Sequence, residues 1–116
     1  MPAPADGYCD QRFAAVRAAF GGNFAERGEL GAAVCVLVDG RVVADLWGGW
    51  ADVKQGRTWQ PDTLVNVFSV GKGAGGSLGF CDPEPGLAFG YVMNQMGPRW
   101  QNPRTRALVD AVYACL

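Results

Sequence analysis

Ser69-Val70-Gly71-Lys72-Gly73-Ala74-Gly75-Gly76-Ser77-Leu78-Gly79-Phe80 can be read in two ways, and each builds a different molecule. Gly71, Gly73 and Gly76 fit the Gly-x-Gly-x-x-Gly fingerprint of a dinucleotide-binding turn. That fingerprint needs a helix next, whose N-terminus takes the pyrophosphate. Ser69 and Lys72 fit another pattern. One helical turn puts positions i and i+3 on one face, so Lys72 can reach the Ser69 hydroxyl. An amine held there can take the serine proton once burial or a neighbouring cation lowers its pKa from about 10.4 towards neutrality. The plain alternative is a helix N-cap followed by a solvated lysine.

The residues downstream decide between the folds. Ser77-Leu78-Gly79-Phe80 is strand-like, and Asp82-Pro83-Glu84-Pro85-Gly86 is a turn whose prolines cannot sit in a central ladder. Leu87-Ala88-Phe89-Gly90-Tyr91-Val92-Met93-Asn94 is a returning strand. Residues 77–94 therefore form a hairpin, which sets the dinucleotide reading aside. Working outward, Ala32 to Val38 is a strand buried in part on both faces. Asp39-Gly40 is a two-residue hairpin signal, and Arg41 to Trp50 returns antiparallel. Residues 51–62 are polar, with Gly56, Pro61 and Asp62, and form a surface loop. Leu64 to Phe68 is apolar and extended.

Helices bracket these hairpins. Residues 1–6 are a loose arm, and Asp6 or Asp10 can cap a helix over about 10–26. Phe13, Val16, Phe20 and Phe24 make its apolar stripe. Gln95 to Gln101 is loop. Asn102 caps a final helix near 103–115 with Pro103 at its first position. Ala107, Leu108, Ala111, Val112 and Cys115 form its apolar face. Arg104 and Arg106 stand in the first turn, against the macrodipole, so polarity alone would not place this start. The expected fold is α+β: an antiparallel sheet of two hairpins, 32–49 and 77–94, flanked by N- and C-terminal helices packed on one face.

At 116 residues the chain is one domain, long enough for one modest core. Ten basic and eleven acidic residues leave a net charge of −1, so no electrostatic footprint for nucleic acid is present. No apolar run approaches the ~18 residues of a membrane span. Met-Pro-Ala-Pro-Ala-Asp has neither the charged start nor the apolar core of a signal peptide, so a cytoplasmic location with reduced thiols is expected. Cys9, Cys35, Cys81 and Cys115 have no Cys-x-x-Cys spacing, and no metal or other cofactor is expected. Seventeen glycines cluster at turns and in 71–79. The chain contains no histidine. A Ser-His-Asp or Cys-His arrangement is therefore impossible within one chain, and any serine hydrolase chemistry needs a lysine, tyrosine or carboxylate base.

On these residues the sequence resembles a known family. The matching text is Gly31-Ala32-Ala33-Val34 with Asp39-Gly40-Arg41, then Leu46-Trp47-Gly48-Gly49-Trp50-Ala51-Asp52. Asp62 through Lys72 follows, then Gly73 through Phe80 and Gly86 through Asn94. The chain resembles the serine β-lactamase-like hydrolases, most closely the class C-like esterases called family VIII carboxylesterases. Their Ser-x-x-Lys motif matches Ser69 and Lys72. The resemblance implies that Ser69 is the nucleophile and Lys72 its general base. It also implies that the Ser69 N–H and one near Ala74 bind the oxyanion, with Gly75 and Gly76 alongside. The substrate would be a short ester or, second, a β-lactam.

One departure stands out. Family members are several-fold longer and carry a mostly helical domain between the serine–lysine motif and the glycine-rich strand. Here Lys72 runs straight into Gly73, so that helical domain is missing between residues 72 and 73. With it goes the family's catalytic tyrosine, since no Tyr-x-Asn occurs and Tyr91-Val92-Met93-Asn94 has one residue too many. The Lys/His-Thr-Gly strand motif is reduced to Gly73. Two readings follow: a serine esterase, impaired or not, or an inactive scaffold domain that self-associates. A homo-oligomer, most simply a dimer, is expected because loss of the helical domain uncovers apolar surface, with Trp47, Trp50, Trp59 and Phe68 as candidates.

Overall fold

The computed structural model describes residues 5–64, 77–95 and 102–116. In chain order the elements are β1 (Asp6–Cys9), a 3-10 turn (Gln11–Phe13), α1 (Ala14–Glu26), β2 (Gly31–Val38) and β3 (Arg41–Asp52). After them come β4 (Arg57–Thr58), β5 (Leu78–Asp82), β6 (Leu87–Met93) and α2 (Pro103–Cys115). The main sheet has the order β1-β3-β2-β6-β5, with every neighbouring pair antiparallel. β4 pairs with the tail of β3.

The architecture is the expected α+β one, and the strand after the glycine-rich stretch overturns the dinucleotide reading. The helix which that reading requires is absent, because Leu78–Asp82 pairs with β6 as an edge strand. β2 pairs with β6 from Ala32↔Met93 to Val38↔Leu87, which joins the two hairpins into one sheet. At the first hairpin, Asp39 and Gly40 both adopt positive φ, 52° and 75°. That is the primed two-residue turn whose twist matches its strands, and Asp-Gly tolerates it.

Period-two alternation decides which side of the sheet is sealed. Ala32, Val34 and Val36 of β2, Ala44 and Leu46 of β3, and Leu87, Phe89, Tyr91 and Met93 of β6 are buried together. Phe13, Val16 and Phe20 from the N-terminal helical region and Leu108 and Val112 from α2 complete this core. Each such side chain contributes roughly 1.5–3 kcal/mol. The alternate residues, Ala33, Cys35, Leu37, Ala88, Gly90 and Val92, point the other way and are half-buried. No helix among the described residues is long and apolar enough to cross a membrane.

Two expectations need correction. Residues 6–9 are not arm or helix approach but a strand, paired with β3 from Asp6↔Trp47 to Cys9↔Ala44. Asp-Gly-Tyr-Cys has no apolar alternation to announce it. Its hydrogen bonds come from a β3 edge that β2 leaves open. The helix starts later than residue 10, because Asp10 accepts from the Arg12 N–H at 2.9 Å and supports a 3-10 turn first. At α2 the expectation holds: Asn102 Oδ1 accepts from the Arg104 N–H at 3.0 Å, and Pro103 opens the helix.

Candidate active site

Ser69, Lys72, Ala74, Gly75 and Gly76 lie outside the described residues, as does Phe68. Their flanks are described, and both flanks meet one end of the sheet. At that end β2 begins, β6 finishes and the tail of β3 crosses over. The Trp50 N–H donates to Leu30 O at 2.8 Å and the Asn94 N–H to Gly31 O at 3.1 Å. The Asn94 side-chain amide donates to Trp50 O at 2.7 Å. Gly49, at φ 79°, lets the β3 backbone pass against Leu30 O, which a Cβ there would overlap.

The upstream flank is anchored at this end by Trp59. Its N–H donates to Gly49 O at 2.9 Å, and its ring fills the space a side chain on Gly31 would need. Trp59 is only 4% exposed, which corrects the expectation that it belongs to an uncovered patch. Trp47 and Trp50 are half-buried. Gln60 and Thr63 close the following turn, with the Gln60 N–H on Thr63 Oγ1 at 2.8 Å. Leu64 then stands 95% exposed beside a shallow recess of about 630 Å³ that Asp52, Arg57 and Asp62 help to line. On the downstream side Ser77 is 2% exposed and leads into β5, where Leu78 pairs with Tyr91. The opposite end of the sheet carries the turns at 39–40 and 83–86, tied by the Asp39 N–H to Gly86 O at 2.9 Å.

Just beneath this end lies a buried polar cluster. Glu29, in the connection between α1 and β2, receives the Arg104 guanidinium on Oε1 at 2.9 Å. Its Oε2 accepts the Tyr91 hydroxyl. Asn23 donates from Nδ2 to Arg104 O at 3.2 Å and accepts the Arg27 guanidinium on Oδ1 at 2.5 Å. Burial pushes the Glu29 carboxyl above its usual range, opposed by the Tyr91 hydrogen bond and by the charge and hydrogen bond of Arg104. Burial, and then the Glu29 charge, push the Tyr91 hydroxyl far up. A phenol held protonated and donating to a carboxylate is the reverse of a phenolate base. Tyr91 is therefore a core residue, as its strand position suggests, and does not replace the family's catalytic tyrosine.

Sequence reading missed Glu29 and Asn23. One signal was available: Arg104 in the first turn of α2, unfavourable to the helix dipole, is explained by the buried carboxylate it meets.

A sequence model of the family described as Beta-lactamase matches residues 11–75, more than half of the chain and the part that contains Ser69 and Lys72. The chain belongs to the Beta-lactamase family. Esterase/beta-lactamase LipL of Mycobacterium tuberculosis (strain ATCC 25618 / H37Rv) is 43% identical over 67 residues, 58% of this chain and 16% of that protein. Among solved structures, a family VIII carboxylesterase is 43% identical with a TM-score of 0.55, over 60% of this chain and 19% of the other. A penicillin-binding protein homolog from Caulobacter crescentus is 48% identical with a TM-score of 0.55, over the same shares. The chain thus spans less than a fifth of the length of these Beta-lactamase-family relatives.

Proposed function

We propose that this protein is a serine hydrolase of the Beta-lactamase family acting on short-chain carboxylic esters, and second on β-lactam-like substrates. The observation that carries this reading is the Ser69–Lys72 spacing, inside the family-matched segment of a chain without histidine. Lys72, as the neutral amine, takes the hydroxyl proton while Ser69 Oγ attacks the ester carbonyl carbon. The tetrahedral oxyanion is held by the Ser69 N–H and one near Ala74, with Gly75 and Gly76 giving the backbone room to approach. Such a donor is worth about 3 kcal/mol in other hydrolases. Collapse expels the alcohol, which regains the proton from Lys72, and water then hydrolyses the acyl-serine. The family's helical domain is missing between residues 72 and 73, so a short connection joins two segments whose described flanks meet at one end of the sheet.

Turnover of p-nitrophenyl acetate tests this directly. It should rise with pH as the Lys72 amine deprotonates and fall at least about a hundredfold in Ser69→Ala. Undiminished turnover in Ser69→Ala would remove the reading.

A second reading is an inactive scaffold that self-associates as a homodimer. It is favoured by the half-buried sheet face of Ala33, Cys35, Leu37, Ala88 and Val92, which no described helix covers. Trp59 no longer contributes to that argument. Light scattering coupled to size exclusion should give about twice the 12.3 kDa chain mass; a single species at the chain mass contradicts the dimer.

A further inference from the structure

We propose that Glu29 is a conformational latch: its two carboxyl oxygens, which accept from Arg104 and Tyr91, decide whether α2 stays docked, and opening the latch frees α2 while the sheet remains folded. This inference does not depend on the esterase reading.

α2 brings Leu108 and Val112 into the core, with Val109, Ala111 and Cys115 partly buried against it. Its buried residues are Arg104, Leu108 and Val112, and its packing is chiefly against α1, not the sheet. Its outer end is held by exposed ties, Arg12 Nε to Cys115 O at 3.1 Å and the Tyr113 hydroxyl to Asp82 at 2.6 Å. Exposed bonds of this kind exchange readily with water and hold little. The start of α2 differs. Arg104 is buried to 4% side-chain exposure against a Glu29 side chain that is fully buried. The carboxylate also takes the Tyr91 hydroxyl of β6, so one residue joins three elements distant in sequence. Asn23, itself buried and set by Arg27, adds the bond to Arg104 O. Without the Glu29 oxygens the buried Arg104 guanidinium and the Tyr91 hydroxyl have no acceptor, and buried donors left unpaired are costly. α2 can relieve that by undocking, which returns Arg104 to water. The sheet has no such outlet, because its ladders are fixed by residue pairs along β2, β3 and β6.

Amide hydrogen exchange on the full chain tests the latch. In Glu29→Leu, which removes both acceptor oxygens, amides of α2 should exchange about tenfold faster or more, the scale of a lost hydrogen bond to a charged group. Amides of Val34, Val36, Ala44 and Leu46 should change little. Unchanged α2 exchange overturns the proposal, and so does equal acceleration everywhere, which would mean that α2 and the sheet open as one unit. If Glu29→Leu does not fold, exchange of the unaltered protein in sub-denaturing urea decides. There α2 should open with a smaller urea dependence than the sheet. A common urea dependence for α2 and the sheet overturns the latch.

Discussion

The two faces of the sheet are made from the same strands and differ in nearly everything else. The helix side carries Val34, Val36, Leu46, Phe89 and Tyr91 beneath Val16, Phe20, Leu108 and Val112, all buried. The other side presents Ala33, Cys35, Leu37, Ala88, Gly90 and Val92, small or half-buried. One face is completed by this chain's own helices. The other has the small side chains of a surface that another layer can approach closely, and among the described residues no helix lies on it. A strand period of two lets one sequence serve both purposes, since each strand spells two faces at once.

If that contrast is right, substitutions on the helix side should cost far more than their counterparts opposite. The largest effects include Arg104→Met, which leaves the Glu29 carboxyl buried without the guanidinium it pairs with, at about 3–5 kcal/mol. Phe20→Ala should cost about 3–5 kcal/mol by emptying the core. Leu37→Ala, on the open face, should cost about 1 kcal/mol or less, because water already reaches part of it. Urea unfolding midpoints at constant slope read all three. A Leu37→Ala loss equal to that of Phe20→Ala would show the second face to be covered after all.

A smaller effect sharpens the comparison through pH. The folded-state Glu29 pKa is raised above its unfolded value of 4.5, chiefly by burial. Below 4.5 both states are protonated at this residue. As pH rises past 4.5 the unfolded state ionises first, so stability falls until the folded carboxyl ionises too, then levels. Glu29→Gln should lack this decline. A decline of the same size in Glu29→Gln would assign it to other groups. No matching slope is expected from the open face, whose burial pushes the Cys35 thiol upward, with Asp45 adding to it, far from this window.

Legibility in the sequence followed the same division. The helix-side stripe of Phe13, Val16 and Phe20, the Asp39-Gly40 turn and the Asn102-Pro103 start could all be read locally, because each follows from spacing or turn chemistry. The β1 strand could not, since its pairing with β3 is dictated by an open edge formed elsewhere. Nor could the Glu29–Tyr91–Arg104 cluster, whose members are 62 and 75 residues from Glu29 and meet through the fold. Loss of the helical domain predicts Trp59 at the surface so uncovered, yet it is buried, its ring packed with the Trp50 carbonyl against Gly31. The Ser69–Lys72 chemistry is a reading of residue type and spacing, and both residues lie outside the described ones.

That chemistry is best tested by intact-mass and peptide mapping after treatment with a fluorophosphonate. A neutral Lys72 amine that activates the Ser69 hydroxyl predicts one adduct per chain, on Ser69, formed much more slowly in Lys72→Ala. No adduct, or one on another residue at an undiminished rate in Ser69→Ala, would contradict the assignment of Ser69 as nucleophile.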